Sequence, residues 1–108
     1  MRKVINPPNA PSAIGTYNQG IETDGLVFTS GQVGIDPSTG KLVGGGIDMQ
    51  AAQTLKNIET ILNSVDLGKD CIAKLTVFVK NLDDFQSVNK AFEKFFNGIE
   101  YPARSTVE

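Results

Sequence analysis

Apolar and polar positions along the chain change their period several times, and each change marks an element. Val4-Ile5 is a short apolar pair that ends at Asn6-Pro7-Pro8, where proline excludes helix and keeps the backbone extended. Residues 17–22 read as a strand. Asp24-Gly25 after it is a hairpin signal, because a tight turn needs φ > 0 at both central positions. Leu26-Val27-Phe28-Thr29-Ser30 is rich in β-formers; Gly31 interrupts, and residues 32–35 resume an extended pattern. A glycine inside a strand marks a bulge or a close approach by another group. Asp36-Pro37-Ser38-Thr39-Gly40 reads as a turn.

The period then changes to that of a helix. Gly44-Gly45-Gly46 leads into a stripe made by Ala51, Leu55, Ile58, Leu62 and Val65, with Asp48 as cap or first-turn acid and Gly68 as the stop. Leu75, Val77 and Val79 alternate with Thr76, Phe78 and Lys80, which predicts a strand with both faces partly covered. Residues 83–96 form a second helix whose stripe is Phe85, Val88, Phe92 and Phe95, ended by Asn97-Gly98. Tyr101-Pro102 re-enters extended structure, and residues 103–108 read as a last strand. The order is a hairpin, then α, β, α, β. Right-handed crossovers place both helices on one face of a mixed sheet, an α+β subunit. The other sheet face then calls for burial against another subunit.

Composition narrows the chemistry. The 108 residues suit a single domain, 40% hydrophobic and 20% charged, with net charge −2. Sequence pI is about 5.0 and the basic residues are scattered, so no nucleic-acid partner is expected. No apolar run is long enough to cross a bilayer, and residues 1–11 lack the apolar core of a signal peptide. The expectation is a cytoplasmic protein. Histidine is absent and Cys71 is the one cysteine, so neither an imidazole base nor a Cys-rich metal site is available. No metal is expected. Catalysis must use carboxylates, Arg, Lys, Tyr, hydroxyls, backbone groups or water.

Arg104 draws notice on these terms. A guanidinium is a planar, permanently charged fork that grips a carboxylate through two hydrogen bonds. Beside Pro102 and on a strand of small residues it is an odd choice for packing, though a structural ion pair is the plain alternative. Tyr17 offers a phenolic hydroxyl or is simply a half-buried strand residue. Ser30 is a polar contact or a strand end; Gly31 is an opening to the backbone or a bulge. Asn89 lies just off the apolar stripe of the second helix. Gly44-Gly45-Gly46 lacks the Lys-Ser/Thr ending of a phosphate loop and reads as a flexible loop. Asp83-Asp84 is a helix start, the Phe92, Phe95, Phe96 cluster is core with some spill into an interface, and Cys71 is a small buried filler.

Taken in order, several segments resemble the RidA (YjgF-type) family. They are Ala13-Ile14-Gly15-Thr16-Tyr17-Asn18-Gln19, Val27-Phe28-Thr29-Ser30-Gly31-Gln32, Asp36-Pro37 with Thr39-Gly40, and Thr76-Val77-Phe78-Val79. Asp83-Asp84-Phe85 through Val88-Asn89, Phe95-Phe96 and Pro102-Ala103-Arg104-Ser105 complete the set. The resemblance implies a chorismate-mutase-like subunit in a homotrimer, sheets inside and helices outside, with pockets between subunits and no cofactor. It implies hydrolysis of 2-aminoacrylate-type enamines and imines to 2-keto acids and ammonia. It assigns Arg104 to the substrate carboxylate, Tyr17, Ser30 and Asn89 to the catalytic site, and Gly31 to substrate binding. Thr106 stands where many relatives carry cysteine, so only its backbone groups are expected to meet the ligand. Relatives also continue past the position of Glu108, through a Leu-Pro-Lys-Gly-like turn, into a strand whose glutamate positions the attacking water. The sequence is therefore expected to be a fragment or truncated design, or to replace that strand otherwise. Ligand binding is expected more firmly than hydrolysis. The rival class is a non-catalytic module that senses 2-keto acids or imines; RNA cleavage, proposed for some relatives, is disfavoured by the acidic pI and missing histidine.

Overall fold

β1 (Lys3–Ile5), β2 (Gly20–Thr23) and β3 (Leu26–Thr29) pair antiparallel in that order in a computed structural model that describes all 108 residues. Asp24 and Gly25 both take positive φ, 50° and 76°, so the turn predicted from their sequence joins β2 to β3. β4 (Ile35–Asp36) and β5 (Lys41–Leu42) form a separate short hairpin. Helix α1 (Gly46–Asn63) follows, with Asp48 in its first turn. β6 (Lys74–Phe78), α2 (Phe85–Phe95) and β7 (Ala103–Val107) then make a crossover unit in which β6 and β7 are parallel.

The fold is α+β with two helices packed together, but the strands do not form the single mixed sheet expected. They divide into an antiparallel triple, a hairpin and a parallel pair, so β3 and β7 each keep an unpaired edge. Two buried clusters hold these pieces. Leu55, Val79, Val88, Phe92 and Phe96 join α1 to α2 and to the end of β6. Ile5, Ala10 and Ile61 join α1 to the antiparallel sheet. Because α1 packs on both sides, its buried arc is wider than one stripe: Ile61 and Asn57 are its most buried residues, and neither lay on the predicted line. In α2, likewise, Phe96 is buried, with its ring 4.8 Å from that of Phe95 and 5.8 Å from that of Phe92.

Other sequence readings are corrected locally. Residues 17–19 are loop, not strand, because side-chain bonds replace the ladder there: Asn6 Oδ1 accepts from Gln19 N at 2.8 Å and Asn18 Oδ1 from Asn6 Nδ2 at 2.9 Å. Gly68 does not stop α1. The helix ends at Asn63, where the Ser64 hydroxyl donates to Ile61 O at 2.6 Å, and Asp66 takes the left-handed turn. Cys71 is exposed, since the single helical turn Lys69–Cys71 lies on the surface. Residues 32–34 are outside any strand, and extended pairing starts only at Ile35.

Val4, Ile21 and Phe28 stand opposite one another across the antiparallel sheet, on the face away from Ile5 and Val27. Phe28 and Leu26 remain exposed there, and Phe78 on β6 is 78% exposed. The predicted cover on both faces of residues 75–80 is therefore missing on one face in the isolated subunit.

The turn of the β4–β5 hairpin holds a carboxylate in its charged form. The Asp36 carboxylate accepts from the Ser38 hydroxyl at 2.7 Å and from Ser38 N at 2.9 Å. These bonds stabilise the charged form and hold the carboxyl below its ordinary value of 3.8, with a smaller contribution from Lys56. A lowered folded value means the contribution is present above 3.8 and is lost as pH falls through the folded pKa. In Ser38→Ala the Asp36 carboxyl carbon, followed by NMR, is expected to titrate nearer 3.8, with the backbone bond and Lys56 left to lower it. A midpoint that stays put would remove the hydroxyl as the cause.

Candidate active site

Alternation along β7 sends Arg104 and Thr106 to one face and Ala103, Ser105 and Val107 to the other. Leu75, the register partner of Arg104, packs on the core cluster that α2 supplies, so Arg104 also faces α2. Its guanidinium lies 4.8 Å from the ring centre of Phe92 and 5.1 Å from that of Phe85. Phe85 and Phe92 are seven residues apart, two helical turns along one face, and form a shelf for the cation. No carboxylate lies within ion-pair distance; the chain's ion pair joins Lys69 to Glu59 at 3.7 Å. Aromatic faces attract a guanidinium, worth about 0.5–2 kcal/mol, but accept none of its five N–H bonds. The half-exposed cation is therefore held on the rings without an acid paired to it.

An open cleft of about 430 Å³ adjoins it, lined by Asn89, Phe92, Glu93, Tyr101, Pro102 and Arg104. Asn89, half-buried on α2, thus shares the cleft with Arg104 as a neutral donor and acceptor. Its place just off the apolar stripe is what turns it toward the cleft. Backbone groups meet at the same edge. Ala103 N bonds Ala73 O, and Val79 N bonds Val107 O. In a parallel ladder only alternate residues bond a given neighbour, so the amides and carbonyls of Arg104 and Thr106 point to the open edge of β7. The Thr106 hydroxyl is buried without a partner.

Tyr17, Ser30 and Gly31 gather elsewhere, at the end of the antiparallel sheet. The Tyr17 hydroxyl accepts from Ile14 N at 3.2 Å, which leaves its own proton free to donate. Ser30 donates its hydroxyl to Asn18 O at 2.5 Å and its backbone N–H to Gln19 O at 2.9 Å. Its hydroxyl proton is therefore committed to holding the 17–19 loop, and only its lone pairs remain for a ligand. Gly31 is exposed, and a Cβ there would meet nothing within 4 Å. Within one subunit, then, Arg104 and Asn89 share a cleft, Thr106 lies along the same strand, and Tyr17, Ser30 and Gly31 form a second group that does not line that cleft.

Glu93, Tyr101 and the Phe85–Phe92 shelf were not singled out from the sequence as site residues. Their helical spacing reads only as a core stripe; which strand face meets it decides that the stripe carries an arginine. No group of three or more His, Cys, Asp or Glu side chains converges to hold a metal.

These features define a class: a small α+β protein whose open cleft carries a guanidinium with no acid paired to it. Comparison with known proteins sharpens it. The family model described as Endoribonuclease L-PSP matches residues 7–108. The 2-iminobutanoate/2-iminopropanoate deaminase of Salmonella typhimurium is 46% identical over 110 residues, spanning 100% of this chain and 85% of that protein. A RutC family protein of Drosophila melanogaster is 43% identical, over 97% of this chain and 75% of its own length. Among solved structures, a Rid-family protein of Yersinia pestis superposes with a TM-score of 0.96 at 44% identity, covering 100% of this chain and 86% of that one. The chain belongs to the RidA (YjgF-type) family.

The aromatic shelf is directly testable. Ring currents from two phenyl groups shift the Arg104 Hε resonance upfield, so Phe85→Leu is expected to move it downfield while the fold persists, Phe85 being partly exposed. An unmoved resonance would place the guanidinium away from Phe85.

Proposed function

We propose that this chain is an imine deaminase: it takes a short imine or enamine bearing a carboxylate and hydrolyses it to the 2-keto acid and ammonia. The observation that carries the reading is the Arg104 guanidinium, seated on Phe85 and Phe92 beside an open cleft with no acid paired to it. A substrate carboxylate supplies the missing acceptor, and the planar fork fixes its orientation. The deaminase name of the Salmonella typhimurium relative supports the same substrate class. An imine carbon is already electrophilic and needs placement more than a strong base, so the reaction is compatible with a chain that has no histidine.

In the proposed reaction the carboxylate docks on Arg104, with Asn89 beside it. Water oxygen bonds to the carbon of the protonated C=N, whose π electrons pass to nitrogen. A proton moves from the added oxygen to that nitrogen in the carbinolamine. The C–N bond then breaks as the remaining hydroxyl proton passes to water and the oxygen lone pair forms the C=O of the keto acid; ammonia departs and takes up that proton as ammonium. Tyr17 donates its free hydroxyl proton to the substrate or water, while Ser30, Gly31 and the backbone of Thr106 line the site.

The working unit we propose is a homotrimer. Exposed Phe28, Leu26 and Phe78 on the sheet faces are the surface that a second copy would bury. Packing of that kind would bring the Tyr17–Ser30–Gly31 group of one subunit to the Arg104 cleft of the next, closing a pocket that a lone subunit leaves open.

Arg104→Ala is expected to abolish accelerated ammonia release from 2-aminoacrylate generated in situ by a PLP-dependent dehydratase, a loss of about a hundredfold or more. Arg104→Lys keeps the charge without the fork and is expected to recover only part of it. Unchanged turnover in Arg104→Ala would refute the assignment.

A further inference from the structure

Asn57 is 1% exposed in the middle of α1, where a leucine would suit both helix and core better. Its side-chain Nδ2 donates to Val33 O at 3.1 Å and to Ile35 O at 2.9 Å, and its Oδ1 accepts from Gln53 Nε2 at 2.8 Å. Both carbonyls can only accept, so they fix Nδ2 as the end of the Asn57 amide that faces the turn and leave Oδ1 to accept from Gln53. Val33 O also accepts from Ile35 N at 2.8 Å, so residues 33–35 make a tight turn whose two outer carbonyls are both held by one amide. At the turn's centre, a Cβ on Gly34 would stand 2.8 Å from Gln50 Cα and 2.9 Å from Gln50 O. Backbone cannot retreat as a flexible side chain would, so the turn lies flat on α1. Gln50, Gln53 and Asn57, spaced by three and four, form a polar stripe under it.

This turn begins two residues after Gly31. We propose that Asn57 is a positioning residue for the site: its amide, aimed by Gln53, anchors the 33–35 turn to α1 and thereby sets where Ser30 and Gly31 meet the substrate. The inference rests on the imine-hydrolysing reading above. Arg104, which holds the carboxylate, sits on a different element, so loss of the Asn57 anchor should misplace the reacting carbon more than it weakens binding.

The test compares the full chain with Asn57→Leu, Gly34→Ala and a core control, Leu62→Val. Leucine keeps the shape of asparagine and removes both donated bonds. Gly34→Ala lifts the turn from α1 while leaving Asn57 in place. Ammonia release from 2-aminoacrylate generated in situ is measured with thermal unfolding and with amide exchange at Ile35 and Val43, whose N–H groups bond to Val33 O and Gly34 O of this turn, and at Ser30, whose N–H bonds to Gln19 O. Asn57→Leu and Gly34→Ala are both expected to lose about tenfold or more in kcat with little change in KM, and to exchange faster at those amides. Leu62→Val is expected to lower Tm and keep kcat. Full kcat in folded Asn57→Leu would overturn the proposal, as would an equal kcat loss in Leu62→Val. If Asn57→Leu does not fold, unaltered kcat in Gly34→Ala overturns it. If the parent chain releases no ammonia above background, the proposed function fails instead, and exchange then decides: unchanged protection in Asn57→Leu also sinks the anchor.

Discussion

An arginine held on two phenyl rings and paired with no acid is the interaction around which the rest of the structure arranges itself. Desolvating part of a guanidinium without an anionic partner carries a cost that aromatic faces only partly offset. Each neighbouring feature follows from that interaction. Pro102 and β7 fix where the side chain leaves the backbone, α2 supplies the shelf through Phe85 and Phe92, and Asn89 borders the cleft from the same helix.

The helices share the labour unevenly. α2 faces the arginine, whereas α1 holds the antiparallel sheet through Ile61 and the 33–35 turn through Asn57. Buried apolar contacts fix the distance between layers but are tolerant of sliding. Directed hydrogen bonds from one amide to two carbonyls are not, which is why a polar residue occupies a place that packing alone would give to leucine. The loop network of Asn6, Asn18, Gln19 and Ser30 serves the same purpose at the other end of that segment.

Much of this was legible in the sequence, and the misses have physical causes. Both helices, the Asp24-Gly25 turn, β6 and β7 followed from local periodicity and turn chemistry, which depend on residues close in the chain. Division of the strands into three sheets did not, because pairing partners are chosen over long separations. The α1 stripe missed Ile61 and Asn57 because a helix packed on two sides buries a wider arc than one apolar line reveals. Arg104 was picked out by the Pro102-Ala103-Arg104-Ser105 segment that resembles the family, since its chemistry alone equally allowed a structural ion pair. Its shelf was not, because Phe85 and Phe92 look identical to core residues until the facing strand is known. Ser30 was read as a polar contact or a strand end; that its proton goes to Asn18 O depends on a loop conformation that local pattern does not encode.

The central claim is that Arg104 waits for a carboxylate, and the guanidinium itself can report on it. Titrating the isotopically labelled chain with 2-ketobutyrate, and separately with the uncharged ketone 2-butanone, isolates the acid group as the only difference between ligands. A saturable shift of the Arg104 Nε–Hε signal with the keto acid alone is the expected result. Equal shifts from both compounds, or keto-acid binding that leaves that signal where it was, would contradict the claim.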